Sequence, residues 1–171
     1  MRIALIAKPG QADSGVGRYV YELERHLLAL GHQVTMVHPV VPIPGWVARA
    51  VRRWTGLDLE AFFQNYAVWA RYPPADLYHL TSQNLATLML FRLPPGSVVV
   101  TVHDIIPWLG RDNPELRTYQ HGFDALFDWL AIQGLKRATV FLAPSGHTRE
   151  TLERIGIPSE RVAVTPLAAE H

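Results

Sequence analysis

Short continuous apolar runs alternate along this chain with stretches whose apolar positions recur every three or four residues. A continuous run suits a strand buried on both faces, and the longer recurrence suits a helix with one apolar stripe. Their alternation demands a parallel sheet with helices packed on it. The strongest strand signal is Val98-Val99-Val100-Thr101-Val102-His103, β-branched and preceded by Pro94-Pro95-Gly96. Arg2–Ala7 reads as an earlier buried strand, ended by Lys8-Pro9-Gly10. From Gly17 the period changes: Val20, Leu23, Leu27 and Leu30 mark a helix that Gly31 closes. Gln33–His38 is the next strand, which completes an opening βαβ unit.

The same reading continues to the end. Val40–Pro44 is a loop, and helices are expected over Trp46–Trp54 and Asp58–Arg71, the second capped by Asp58. Leu77–Leu80 is a short strand and Leu85–Phe91 a short helix. A loop holding Pro107 and Pro114 leads to a long helix, about Leu116–Ala138. Thr139–Ala143 is a buried strand, Ser145 caps a helix through Ile155, and Val162–Thr165 is a last strand. The chain of 171 residues suits one domain. The predicted fold is α/β: a Rossmann-like, doubly wound, mainly parallel sheet with helices on both faces.

Composition excludes several classes. With no cysteine there is no disulfide scaffold, thiolate metal site or cysteine nucleophile. The net charge of +1 gives no reason to expect nucleic acid. The apolar start is too short for a signal peptide, and no run is long enough to span a bilayer. A cytoplasmic location, with peripheral contact at the inner membrane face, is the expectation. His26, His32, His38, His121, His147 and His171 lack ligand spacing, so no metal is expected.

Three places carry candidate chemistry. Ser14-Gly15-Val16-Gly17-Arg18-Tyr19 joins the first strand to the first helix, where glycines suit a tight turn or a closely approaching ligand. The free N–H groups opening that helix favour an anion. The loop is neither G-x-G-x-x-G nor a P-loop, and it reads equally as phosphate contact or as a plain turn. His103-Asp104 follows the central strand, at the carboxyl end where ligands bind in open α/β sheets. Adjacent residues point to opposite sides of a strand, so no His–Asp relay is inferred. The alternative there is a turn in which Asp104 accepts backbone N–H bonds. His79 ends another strand and is either a rim residue or a core-edge histidine. Ser145 reads as a cap rather than a nucleophile, and Arg149 as a phosphate-neutralising or simply exposed arginine. Among the rings near residue 60, Phe62, Tyr66 and Trp69 share helical spacing and are expected to pack inward. Trp46 and Trp54, with Arg49, Arg52 and Arg53, are left for the surface, where they suit a membrane interface or a lipid or glycan acceptor.

Ser14–Tyr19, Val102-His103-Asp104-Ile105-Ile106-Pro107, Ala143-Pro144-Ser145-Gly146-His147-Thr148-Arg149 and Gly156–Val164, in this order over essentially the whole chain, resemble the N-terminal domain of GT-B glycosyltransferases of family 4. The resemblance implies a retaining transfer of sugar from a nucleotide-diphosphate sugar to a sugar, lipid or glycan acceptor. Two Rossmann-like domains would face each other across a cleft, the N-terminal one supplying the acceptor side. By resemblance Gly15, Val16 and Gly17 approach the donor diphosphate, His103 lies near the transferred sugar with Asp104 beside it, and Ser145 and Arg149 lie near the cleft. The resemblance implies no bound metal or other cofactor, the nucleotide sugar being the donor substrate.

One departure is large. The family's two glutamates, with seven residues between them, belong to the C-terminal donor-binding domain, and no two glutamates here have that spacing; Glu153 and Glu160 are one residue too close. The expectation is therefore a domain inactive in isolation whose donor-binding partner is absent, with exposed apolar surface that favours self-association. The alternative is a non-catalytic binding domain that docks a separate donor-binding subunit.

Overall fold

The computed structural model describes residues 1–9, 14–105 and 122–166. In it β1 (Arg2–Ile6), β2 (Gln33–Val37), β3 (Leu77–Leu80), β4 (Ser97–Thr101), β5 (Val140–Ala143) and β6 (Val162–Val164) form one sheet. Every pairing is parallel, in the order β2-β1-β3-β4-β5-β6. The helices are α1 (Gly15–Ala29), α2 (Gly45–Thr55), α3 (Leu59–Asn65), α4 (Leu88–Phe91, entered through a 3-10 turn at Gln83–Thr87), α5 (Gly122–Leu135) and α6 (Gly146–Arg154).

The strand order places the helices. The chain steps one way from β1 to β2 and the other way at every later step, so right-handed crossovers put α1 on one face and the later helices on the opposite one. This is the doubly wound, two-faced sheet that the alternating pattern predicts.

Register builds the core. Ile6, Leu80, Val100, Phe141 and Val162 lie side by side across five strands and are all buried. Because side chains alternate, the row two residues back, Ala4, Tyr78 and Val98, shares that face. Leu85, Met89, Ile132, Leu135 and Leu152 from the helical layer close over it. The other face is more thinly covered. Ile3 and Leu5 are buried there, but α1 has no fully buried residue and its Leu28 is 51% exposed.

Two boundaries differ from the sequence expectation. The first helix begins at Gly15, not Gly17, because Ser14 caps it: its Oγ accepts from Gly17 N–H at 3.0 Å. The helix expected over Asp58–Arg71 is capped by Asp58 but stops at Asn65. Beyond it, tertiary donors take the carbonyls that a helix would have used. Thr87 Oγ1 donates to Ala67 O at 2.5 Å, and Val40 N–H donates to Trp69 O at 2.9 Å. The part of the long helix expected before Gly122, with Pro107 and Pro114, lies outside the described residues.

α5 approaches the Gln83–Thr87 turn so closely that a Cβ on Gly134 would stand 1.9 Å from Ala86 O. Alanine gains about 1 kcal/mol over glycine in a helix. Overpacking against backbone that cannot yield costs about 3 kcal/mol. Gly134→Ala is therefore expected to lower stability by about 2 kcal/mol in urea unfolding, where propensity alone predicts a gain.

Candidate functional site

All strands run the same way, so their carboxyl ends meet along one edge, and the candidate residues gather there. β1 delivers Lys8, the N-terminus of α1 lies beyond it, β3 delivers Thr81, and β4 delivers His103 and Asp104.

His103 is half-buried and held from three sides. Its Nε2 lies 2.9 Å from Thr81 O; a carbonyl only accepts, so Nε2 carries the proton and, in the neutral ring, Nδ1 is the acceptor. Its backbone N–H donates to Gln83 Oε1 at 3.2 Å. Tyr19, from the second turn of α1, meets the imidazole edge-on, with centroids 5.1 Å apart. An edge-on aromatic contact fixes ring orientation. The arrangement presents an imidazole of fixed orientation, its Nε2 committed as a donor, beside the opening of α1.

That opening is an unsubstituted helix start. In the first turn Ser14 satisfies Gly17 N–H, while Gly15 and Val16 N–H have no hydrogen bond among the described residues. Gly15 does not have positive φ, and a Cβ there would meet nothing within 4 Å among the described residues. A tight turn therefore does not explain the absence of a side chain at Gly15, and the described residues leave space there for an approaching group.

His79 does not line the rim. It is 4% exposed, and its Nε2 lies 2.8 Å from Thr101 Oγ1. Thr101 Oγ1 also meets Tyr19 OH at 2.7 Å, so Tyr19, Thr101 and His79 form one hydrogen-bonded chain beneath His103. Burial, then the nearby His103, pushes the His79 pKa down to about 4, and burial pushes the Tyr19 phenol up. Both are uncharged near neutrality. The chain is a rigid support for His103 rather than a proton source.

Asp104 is exposed and borders a small pocket lined also by Gln83, Asn84, Ile105, Asp128 and Ile132. Next to it lies a group that sequence reasoning missed. Lys8 Nζ donates to Asn65 Oδ1, and Asn84 Nδ2 donates to the same oxygen at 3.0 Å. No carboxylate pairs with Lys8 among the described residues, and burial lowers its pKa. Its place directly after a buried strand was the available signal. Tyr19 and Thr101 were missed too, although Thr101 precedes His103 by two residues and so shares its side of the strand.

Ser145 and Arg149 stand at the same sheet edge but, among the described residues, their side chains engage only their own helix. Ser145 Oγ accepts from Thr148 N–H at 3.1 Å, a cap as expected. Arg149 Nε donates to Glu153 Oε1 at 3.0 Å, an exposed pair. Among the described residues no group of three or more His, Asp or Glu is placed to hold a metal ion.

Residues 14–169 match the model of Glycosyltransferase Family 4, and the chain belongs to that family. No curated protein matches it. Similar solved structures include the Anabaena protein Alr3699/HepE in complex with UDP and glucose, at 16% identity and a TM-score of 0.49, covering 97% of this chain and 44% of that one. The same protein with UDP gives 15% and 0.48, again covering 97% and 44%. With UDP-glucose it gives 17% and 0.47, covering 97% and 43%. The chain thus spans less than half the length of these structures.

The buried His79 makes stability depend on pH. Its pKa of about 4 in the folded state lies below the ordinary 6.5, so the unfolded chain binds the extra proton between those values. Its contribution is complete above pH 6.5 and is lost as pH falls toward 4, by at most about 3 kcal/mol. Urea-unfolding midpoints from pH 7 to pH 4.5 are expected to fall more steeply for the parent chain than for His79→Asn.

Proposed function

We propose that this family member is the acceptor-side domain of a retaining glycosyltransferase. The reaction moves a sugar from a nucleotide-diphosphate sugar to an acceptor, and turnover needs a donor-binding domain in addition to these 171 residues. One observation carries the reading: Tyr19 ties the N-terminal turn of α1 to the fixed imidazole of His103, so an anion-favouring helix end and an oriented hydrogen-bonding ring share one edge.

In this reading the diphosphate of the donor approaches Gly15, Val16 and Gly17. Backbone N–H groups at a helix N-terminus stabilise the negative charge that grows on the leaving group. His103, oriented by Thr81 O and Tyr19, hydrogen-bonds the transferred sugar, and Asp104 binds a hydroxyl nearby. Lys8, Asn65 and Asn84 provide the polar side of the acceptor space. Arg149 and Ser145 act from the margin, one through charge and the other by fixing the start of α6. No bound metal or other cofactor enters the scheme. The competing reading, a non-catalytic domain docking a separate donor-binding subunit, uses the same edge as a contact surface and assigns His103 no chemistry.

Calorimetric titration of the 171-residue chain with UDP-, GDP- and ADP-sugars tests the division of labour. The expected outcome is no measurable heat at millimolar ligand, since one helix terminus alone gives little affinity. Micromolar binding that Gly15→Glu abolishes would assign donor binding to this domain and overturn the proposal. Space at Gly15 lets that substitution report on binding rather than on folding.

A further inference from the structure

Helix α2 has a surface that neither the fold nor the site above uses. Val47, Ala48 and Val51 face inward, with Ala48 buried. Trp46, Ala50 and Trp54 follow one another at four-residue spacing and form a stripe on the solvent side. Trp46 is 68% exposed and Trp54 is 85% exposed. Indole rings are strongly apolar, and leaving two of them in water on one helix is costly.

The neighbouring row is basic. Arg49 and Arg53, also four apart, run beside the tryptophans and make no ion pair among the described residues. Arg52 is different, since it lies 3.3 Å from Asp58. The helix contains no acidic residue at all. An indole stripe flanked by arginines on a helix too short to span a bilayer matches a segment that lies in the headgroup plane. Tryptophan favours that boundary because its ring is apolar and its N–H still finds a polar partner.

We propose that α2 docks this domain onto an anionic lipid surface, with Trp46 and Trp54 inserted at the acyl boundary and Arg49 and Arg53 on the headgroup phosphates. Charge complementarity selects this occupant: the unpaired cations sit at the edge of the apolar stripe, where phosphates would be. The inference does not depend on the proposed glycosyl transfer.

Flotation with vesicles tests it directly, using phosphatidylcholine alone and phosphatidylcholine mixed with phosphatidylglycerol. The 171-residue chain is expected to float with the mixed vesicles and not with the neutral ones. Raised salt should release it, and tryptophan emission should shift to the blue on binding. Each arginine near an anionic surface contributes about a fivefold gain in partitioning. Arg49→Gln with Arg53→Gln should therefore cost about thirtyfold, and Trp46→Ser with Trp54→Ser should remove both binding and the blue shift. All four side chains belong to exposed residues, so circular dichroism and the melting temperature should match the parent. Equal binding to the two vesicle types, or parent-like binding by both double variants, overturns the proposal. So does a dimer that the tryptophan variant abolishes while no vesicle binds, which would give the stripe to a second copy of the chain.

Discussion

Parallel pairing is the constraint from which the rest of this structure follows. Each strand enters from the same side, so each must return across a helical layer, and every carboxyl end opens onto one edge. The pairing survives because hydrogen bonds satisfy the backbone while Ile6, Leu80, Val100, Phe141 and Val162 form a buried row across it. A slip of one residue on any strand would turn that row out of the core. The same register that buries the row places Thr101 and His79 on the opposite face, under α1.

That opposite face is where stability and the site are joined. α1 is only partly buried, and it is tied to the sheet by a polar link, Tyr19 to Thr101 to His79. Interior hydrogen bonds add modest net stability but are costly to leave unmade, so the link fixes the position of α1 more than it strengthens the fold. Fixing α1 fixes its N-terminal turn relative to His103. A neutral His79 serves this better than a charged one, because a cation buried there would demand a counter-ion.

Much of the fold was legible in the sequence because its signals are local. β-branched runs, the Gly31 stop and the caps at Asp58 and Ser145 depend on neighbours a few residues away, and each appears where the pattern places it. The helical spacing of Phe62, Tyr66 and Trp69 continues past Asn65, but the helix does not, because distant donors claim the carbonyls of Ala67 and Trp69. Tyr66 turns inward to Asp128, sixty-two positions on. At the candidate site, the strand-end rule singled out His103, Asp104 and the glycine loop, which the parallel strands bring to one edge. It did not find the contact of Lys8 with Asn65, fifty-seven positions away, since no local pattern encodes such a meeting. His79 was placed at the right strand end, but burial decided between its two readings, and burial depends on the helix laid over it. The expected outward position of Trp46 and Trp54 holds, as does the inward packing of Phe62 and Tyr66 against Phe127.

The central claim is that the held imidazole of His103 serves sugar transfer at this edge. The most direct measurement is release of nucleoside diphosphate from its sugar ester by these 171 residues joined to a donor-binding domain, compared with the same polypeptide carrying His103→Ala. The account predicts a fall in turnover of about a hundredfold or more, with nucleotide affinity and melting temperature unchanged. Undiminished release would contradict it and leave the edge as a docking surface.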